Sequence, residues 1–208
     1  MYLSKLFNFV LYTISKYNID ESHGITHSMN VLHNCCKLID SVIDNNPYID
    51  KQRKIIYGAA ILHDMCDKKY MKEETGMKEI RDYIYTDMSS LELHVMESII
   101  VTMSYSKVKK DGFPDFGEHY QMAYHIVREA DLLAAYDFDR CMIYDMCKRQ
   151  TSLEQAFKHA SSLFEDRMFK HQEDGLLLLP YSIEMHPKLT HHARIRIDHW
   201  KRLLRSKL

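Results

Sequence analysis

The chain has 208 residues, 46% hydrophobic and 27% charged, with a formal net charge of −1. That is a globular balance on a length that suits one sizeable core and one domain. Near-neutral charge excludes a global field that would gather extended nucleic acid or an anionic membrane, so any anionic ligand must be held by a local cluster.

Glycine (6) and proline (4) are scarce, which disfavours a hairpin-rich β protein and favours helices with short connections. The five cysteines are odd in number and include no C-x-x-C pair. A disulfide framework or a cysteine zinc site is not expected, and a reducing compartment fits. The apolar opening MYLSKLFNFVLYTISKYN carries Lys5 and Lys16 and lacks a small-residue cleavage site. It reads as an amphipathic core helix, not a signal peptide. No uncharged run approaches the ~18 residues of a membrane span, and a soluble, cytoplasmic protein with no membrane partner is expected.

In chain order, Leu3, Leu6, Phe7, Val10, Leu11 and Ile14 recur at helical spacing. After a break at Asn18–Gly24, a second helix is expected from about Ile25 to Ile43, ended by Asn45-Asn46-Pro47. Asp50 can cap a third helix, whose run Ile55–Leu62 is apolar on nearly all sides and therefore buried from several directions. Thr75–Tyr85 reads as a surface helix, and Ser89-x-x-Glu92 as a capping box opening a helix to about Met103. Tyr105–Gly117, with Lys107, Lys109, Lys110, Gly112 and Pro114, reads as a loop. A long helical region is expected from His119 to about Cys147, interrupted near Asp137. A second capping box, Thr151-x-x-Glu154, opens a helix to about Phe169. Gly175–Pro187 reads as irregular, with Leu176–Leu179 a short strand or buried turn. Thr190 caps a last helix through Leu204. The fold class expected is all-α, a single-domain helical bundle.

The chemistry concentrates in a few ionisable residues at apolar places. With 13 histidines, about one His-Asp dipeptide is expected by chance, so His63-Asp64 means something only through its context. It ends the most apolar helix of the chain, where adjacent ionisable groups are expensive unless paired or bound to metal. A buried His–Asp hydrogen bond is the plain alternative. His27 lies in the first turn of the preceding long helix, and Asp131 interrupts the apolar run Ala130-Asp131-Leu132-Leu133-Ala134. Two imidazoles and two carboxylates from separate helices make a plausible mixed nitrogen–oxygen shell for one divalent metal inside a bundle.

At these residues the sequence resembles the HD superfamily of metal-dependent phosphohydrolases, whose pattern runs H…HD…D. The match is to His27 with Val31, His63-Asp64 after Ala59-Ala60-Ile61-Leu62, and Asp131. Ser22-His23-Gly24-Ile25-Thr26-His27, Leu62-His63-Asp64-Met65-Cys66-Asp67-Lys68-Lys69 and Met103-Ser104-Tyr105-Ser106 resemble the S-H-D-x-x-H, L-H-D-x-x-D-x-K and M-S-F segments of the small HD nucleotide pyrophosphohydrolases. The likeness covers roughly residues 20 to 135, an expected metal-binding core on which C-terminal helices over about 150–208 pack. Asn30 stands where those proteins usually have Arg, and Leu132 and Ala134 replace the Arg and second Asp of D-R-L-D-A.

The resemblance implies His27, His63, Asp64 and Asp131 as metal ligands. It also implies hydrolysis of a phosphoester or phosphoanhydride, in a nucleotide or related phosphorylated small molecule, by a metal-activated water. The open hard-ligand shell suits Mn²⁺, Mg²⁺, Co²⁺, Fe²⁺ or Zn²⁺. Around it, Asp67 follows Asp64 by three residues and is either an acid/base group or a partner of Lys68. Glu97 is either an inward acid/base group or a surface carboxylate. His23, Lys69, Ser104 and Arg128 are substrate-binding candidates. His94 and His119 are the candidates for extra ligands in a di-iron oxygenase. A non-catalytic nucleotide-binding module is the remaining alternative.

Overall fold

The computed structural model describes residues 2–206; Met1, Lys207 and Leu208, at the ends of the expected single unit, lie outside the described residues. Among the described residues there are ten α-helices, four short 3-10 turns and no strand. The helices are α1 (Tyr2–Tyr17), α2 (Ile25–Val42), α3 (Ile49–Leu62), α4 (Glu73–Ile84), α5 (Ser90–Thr102), α6 (Tyr105–Asp111), α7 (Gly117–Ala134), α8 (Phe138–Lys148), α9 (Leu153–Asp166) and α10 (Pro180–Arg205). None is long and apolar enough to cross a membrane.

The main core lies where α2, α3 and α7 pack on one another, closed by α1 and α5. The run Ile55–Leu62 is buried except for Tyr57, as its all-round apolarity requires. Two side-chain bonds fix these helices in register: Asn34 Nδ2 donates to the Ala130 carbonyl at 3.0 Å, and Gln52 Nε2 to the His119 carbonyl at 2.8 Å. A second apolar cluster joins α8, α9 and α10 through Phe138, Ala156, Phe164, Ala193 and Ile197. The end of α7 bridges the two, with Ala130 and Leu133 in the first and Ala135 and Tyr136 in the second. Asp131 therefore lies between the two cores.

Tertiary packing corrects several element readings. The stretch Tyr105–Asp111, expected as loop, is α6, stopped by Gly112 at φ +78°. Its Val108 is buried with Leu132, Leu176 and Leu177, and that contact stabilises a helix too short to hold alone. The break near Asp137 is present, and the Asp137 side chain caps α8 by accepting from the Arg140 amide at 3.1 Å. The second capping box is Ser152 with Gln155, one residue later than expected. The last helix starts at Pro180, not Thr190, and carries Pro187 within it. Pro180 is suited to a first turn because its missing N–H has no partner to lose there. Leu176–Leu179 is a connection, buried except for Leu178, and not a strand.

Gly76 has a specific task. A Cβ there would stand 2.7 Å from the Cys66 Cα, so only glycine lets α4 lie against the backbone of the 3-10 turn His63–Cys66. That turn continues α3 and carries His63 and Asp64.

Candidate metal centre

The four residues of the expected shell converge. His27 enters from the first turn of α2, His63 and Asp64 from the turn after α3, and Asp131 from the last turn of α7. The His27 and His63 Nε2 atoms are 3.2 Å apart. Asp64 Oδ2 lies 3.3 Å from each of them. Asp131 Oδ1 lies 3.3 Å from His27 Nε2 and 3.6 Å from His63 Nε2. Ligand atoms of His27, His63 and Asp131 all fall within 4.8 Å of one another.

The donor set fits a divalent cation. Asp64 Oδ2 is buried with no hydrogen-bond partner among the described residues, an orphaned anionic atom that a cation would satisfy. His63 Nδ1 lies 2.8 Å from the Ala60 carbonyl, which fixes the ring proton there and turns the Nε2 lone pair toward the cluster, the usual arrangement behind a metal-ligating histidine. Arg140 faces His27 Nδ1. A guanidinium only donates, so this contact suits a cation on Nε2 only once Arg140 turns away and Nδ1 takes the ring proton.

Electrostatics give the same picture. Burial alone would push the Asp64 and Asp131 carboxyls up, but the neighbouring imidazoles outweigh it and hold both well below the usual carboxylate range. Burial would lower His63, but Asp64 and Asp131 raise it well above its ordinary 6.5. Burial lowers His27, with Arg140 acting in the same direction. The metal-free cluster thus holds a proton on His63 between two carboxylates. A metal must displace that proton, so lowering the pH weakens binding. Titrating Mn²⁺ calorimetrically at neutral pH in buffers of different ionisation enthalpy should show close to one proton released per ion. Its affinity should rise with pH, by up to about tenfold per unit, as long as His63 is protonated.

A cleft of about 680 Å³ opens from the cluster. His23, Asp67, Lys69 and Ser104 all line it. Ligand atoms of His23, Asp64 and Asp67 form a second close group, within 4.8 Å of one another. This group has a cation of its own: the Lys69 ammonium lies 3.0 Å from His23 Nε2 and 3.0 Å from Asp67 Oδ2. Asp67 thus pairs with Lys69, not Lys68. Burial lowers the His23 pKa to about 4, so the ring is neutral at pH 7 and accepts from Lys69.

Two expected site residues are elsewhere. Glu97 is held by Arg81 through two bonds of 2.8 and 2.7 Å on the outer side of α5 and does not line the cleft. Arg128 is 1% exposed and turned into the protein, where it pairs with Glu129 at 2.8 Å and donates to the Leu176 carbonyl at 2.6 Å. Its guanidinium was expected in the substrate pocket, but the rotation of α7 directs it at the chain segment entering α10. His94 is exposed on α5, and His119 is exposed and packs at a tilt against Tyr48; neither reaches the cluster as an extra ligand. Lys107 lines the cleft but is engaged by Glu73 at 3.4 Å and by the Val101 carbonyl.

Sequence reasoning missed the other wall of the cleft. The C-terminal helices were expected only to pack on the metal core, yet α8 and α9 contribute Arg140, Tyr144, Arg149, His159 and, just after α9, Arg167. No linear motif marks these residues.

No protein-family model matches the chain, and no curated protein matches it. Among solved structures, the fold is similar to the crystal structure of a structural-genomics target protein from Lactobacillus plantarum. The TM-score is 0.71 at 17% identity, over 98% of this chain and 96% of that one. At that identity the likeness establishes a shared fold and carries no chemistry.

Proposed function

We propose that the protein is a divalent-metal-dependent phosphohydrolase of the HD type, acting on a nucleotide or related phosphoester or phosphoanhydride. One observation carries this reading: two imidazoles and two carboxylates from three chain segments meet beside a cleft lined by His63, Asp64 and Asp131. Such a buried ionic cluster destabilises a fold unless a cation or charge pairing compensates it.

His27, His63, Asp64 and Asp131 would hold the ion, which when bound supplies Lewis acidity and a water of lowered pKa. Asp67, at the cleft wall, is placed to accept a proton from water or return one to the leaving oxygen. The Lys69 ammonium, shared between Asp67 and His23, can shift toward a phosphate oxygen. Neutral His23 holds that lysine, while its Nδ1 is fixed by Ser22 Oγ at 2.6 Å and the Tyr70 hydroxyl at 3.1 Å. Ser104, the residue before α6, offers a hydroxyl in the cleft lining.

Binding without turnover is the second reading. It is favoured by Leu132, which packs into an apolar cluster with Val108, Leu176 and Leu177 at a position where the resembled proteins carry Arg. Incubating the protein with Mn²⁺ and a panel of mono-, di- and triphosphates decides between the two. Phosphate or pyrophosphate release is the expected result. Tight nucleotide binding with no release in any divalent metal selects the binding module, and neither binding nor release removes both.

A further inference from the structure

Most arginines of the protein have a carboxylate partner, including Arg53, Arg81, Arg128, Arg149, Arg194 and Arg196. Arg149 lines the cleft and is paired with Asp145 at 3.1 Å. Arg140 and Arg167 line the same cleft and have no carboxylate partner among the described residues. Arg167 is the more telling. Its Nε is buried with no hydrogen-bond partner, and its guanidinium lies over Tyr105 with its carbon 3.9 Å from the ring centroid. The ring face gives the N–H groups no oxygen acceptor, although a charge largely removed from water is costly unless paired. Burial works against the Arg167 charge, and Asp131, the acid it feels most, makes no ion pair with it.

Charge bookkeeping says what they await. A divalent cation neutralises Asp64 and Asp131, and Lys69 neutralises Asp67. Along the rest of the lining Lys107 pairs with Glu73 and Arg149 with Asp145, and Asp166 offsets Lys68 in sum, so Arg140 and Arg167 leave two positive charges facing the cleft next to the metal cluster. We infer that Arg140 and Arg167 form an anion subsite that binds a phosphoryl dianion beside the metal centre. The planar fork of arginine matches two phosphate oxygens at once. The contact of Arg140 with His27 breaks when a cation claims that ring, which frees the guanidinium for the same anion. The inference deepens the phosphohydrolase reading and rests on it, because the surplus of charge is counted with a divalent ion present. The dianion is the terminal phosphate of a monoester or one unit of a phosphoanhydride.

The test is calorimetric titration of inorganic phosphate and, separately, pyrophosphate into Mn²⁺-loaded wild type, Arg167→Gln, Arg167→Lys and Arg140→Gln, after a direct Mn²⁺ titration of each. Wild type should bind phosphate. Arg167→Gln and Arg140→Gln should each bind it about 10–100-fold more weakly while taking up Mn²⁺ with unchanged stoichiometry. Arg167→Lys should recover part of the loss, because it keeps charge without the fork. Markedly tighter pyrophosphate than phosphate assigns the subsite to an anhydride, and equal affinity to a monoester. Should Arg167→Gln prove unfolded by circular dichroism, Arg140→Gln carries the test. Phosphate affinity unchanged in a folded variant that still binds Mn²⁺ overturns the subsite. A wild type that fails to bind Mn²⁺ overturns the metal reading instead, and arginine-dependent phosphate binding in that metal-free protein would leave the subsite standing.

Discussion

Asp131→Ala is expected to abolish metal binding and, with it, hydrolysis. The carboxylate stands 3.3 Å from His27 Nε2 and 3.6 Å from His63 Nε2, so its removal deletes a ligand. Removing a group that only supports metal ligands typically costs about 10–100-fold, and losing a ligand itself should exceed that. The fold should survive, because the Asp131 side chain is 25% exposed at the cleft and Asp64 still stands 3.3 Å from both His27 and His63 Nε2. Mn²⁺ titration together with a thermal melt checks both halves. Wild-type metal affinity in Asp131→Ala would remove the cluster from consideration as a metal centre.

Two residues earlier on the same helix, Glu129→Ala should do the opposite: leave the metal cluster intact and cost the fold heavily. Glu129 is fully buried. Its carboxylate accepts from Arg128 at 2.8 Å and from the amides of Leu178 and Leu179 at 3.0 Å each. It thereby holds the two residues that lead into α10, near an N-terminus whose dipole favours an anion. Burial raises the Glu129 pKa and lowers that of Arg128 despite their contact, so the pair is far from over-stabilised and depends on its remaining bonds. Deleting one partner of a buried ion pair costs about 3–5 kcal/mol, which for a chain of this size lowers the melting temperature by about 6–20 °C. Replacing both partners with apolar residues of similar volume should recover much of the loss. The melts of Glu129→Ala and of the Arg128→Met/Glu129→Leu double variant measure this directly. A single variant melting within a degree of wild type would mean that the segment Leu176–Leu179 is held by its leucines alone.

The pair of predictions marks the boundary between what the sequence carries and what it does not. Periodicity and composition by themselves determined the all-helical class, the buried character of Ile55–Leu62 and the placement of His63, Asp64 and Asp131 at apolar positions. These are local signals: a charged residue amid leucines and alanines must find a partner wherever the helix goes. Which partner it finds is not local. Glu129 and Asp131 are both acidic residues in one apolar stretch, but two positions along an α-helix rotate a side chain by about 200°. One therefore meets the metal cluster and the other the start of α10. Arg128 falls under the same rule, and so does Glu97, whose helix turns it toward Arg81 rather than into the cleft.

Only the tertiary structure brought the C-terminal helices to the site. Arg140 and Arg167 sit in segments with no motif, and their meaning comes from lacking a carboxylate in a cleft where Arg149 has one. Helix α6 is the same lesson in secondary structure: lysines and a glycine spell a loop, but Val108 gains a buried contact with Leu132 and Leu177 and the segment coils to make it. The sequence by itself fixes which side chains cannot be left in apolar surroundings. The packing angles of α2, α3 and α7, set by contacts between residues far apart in the chain, fix where their partners are.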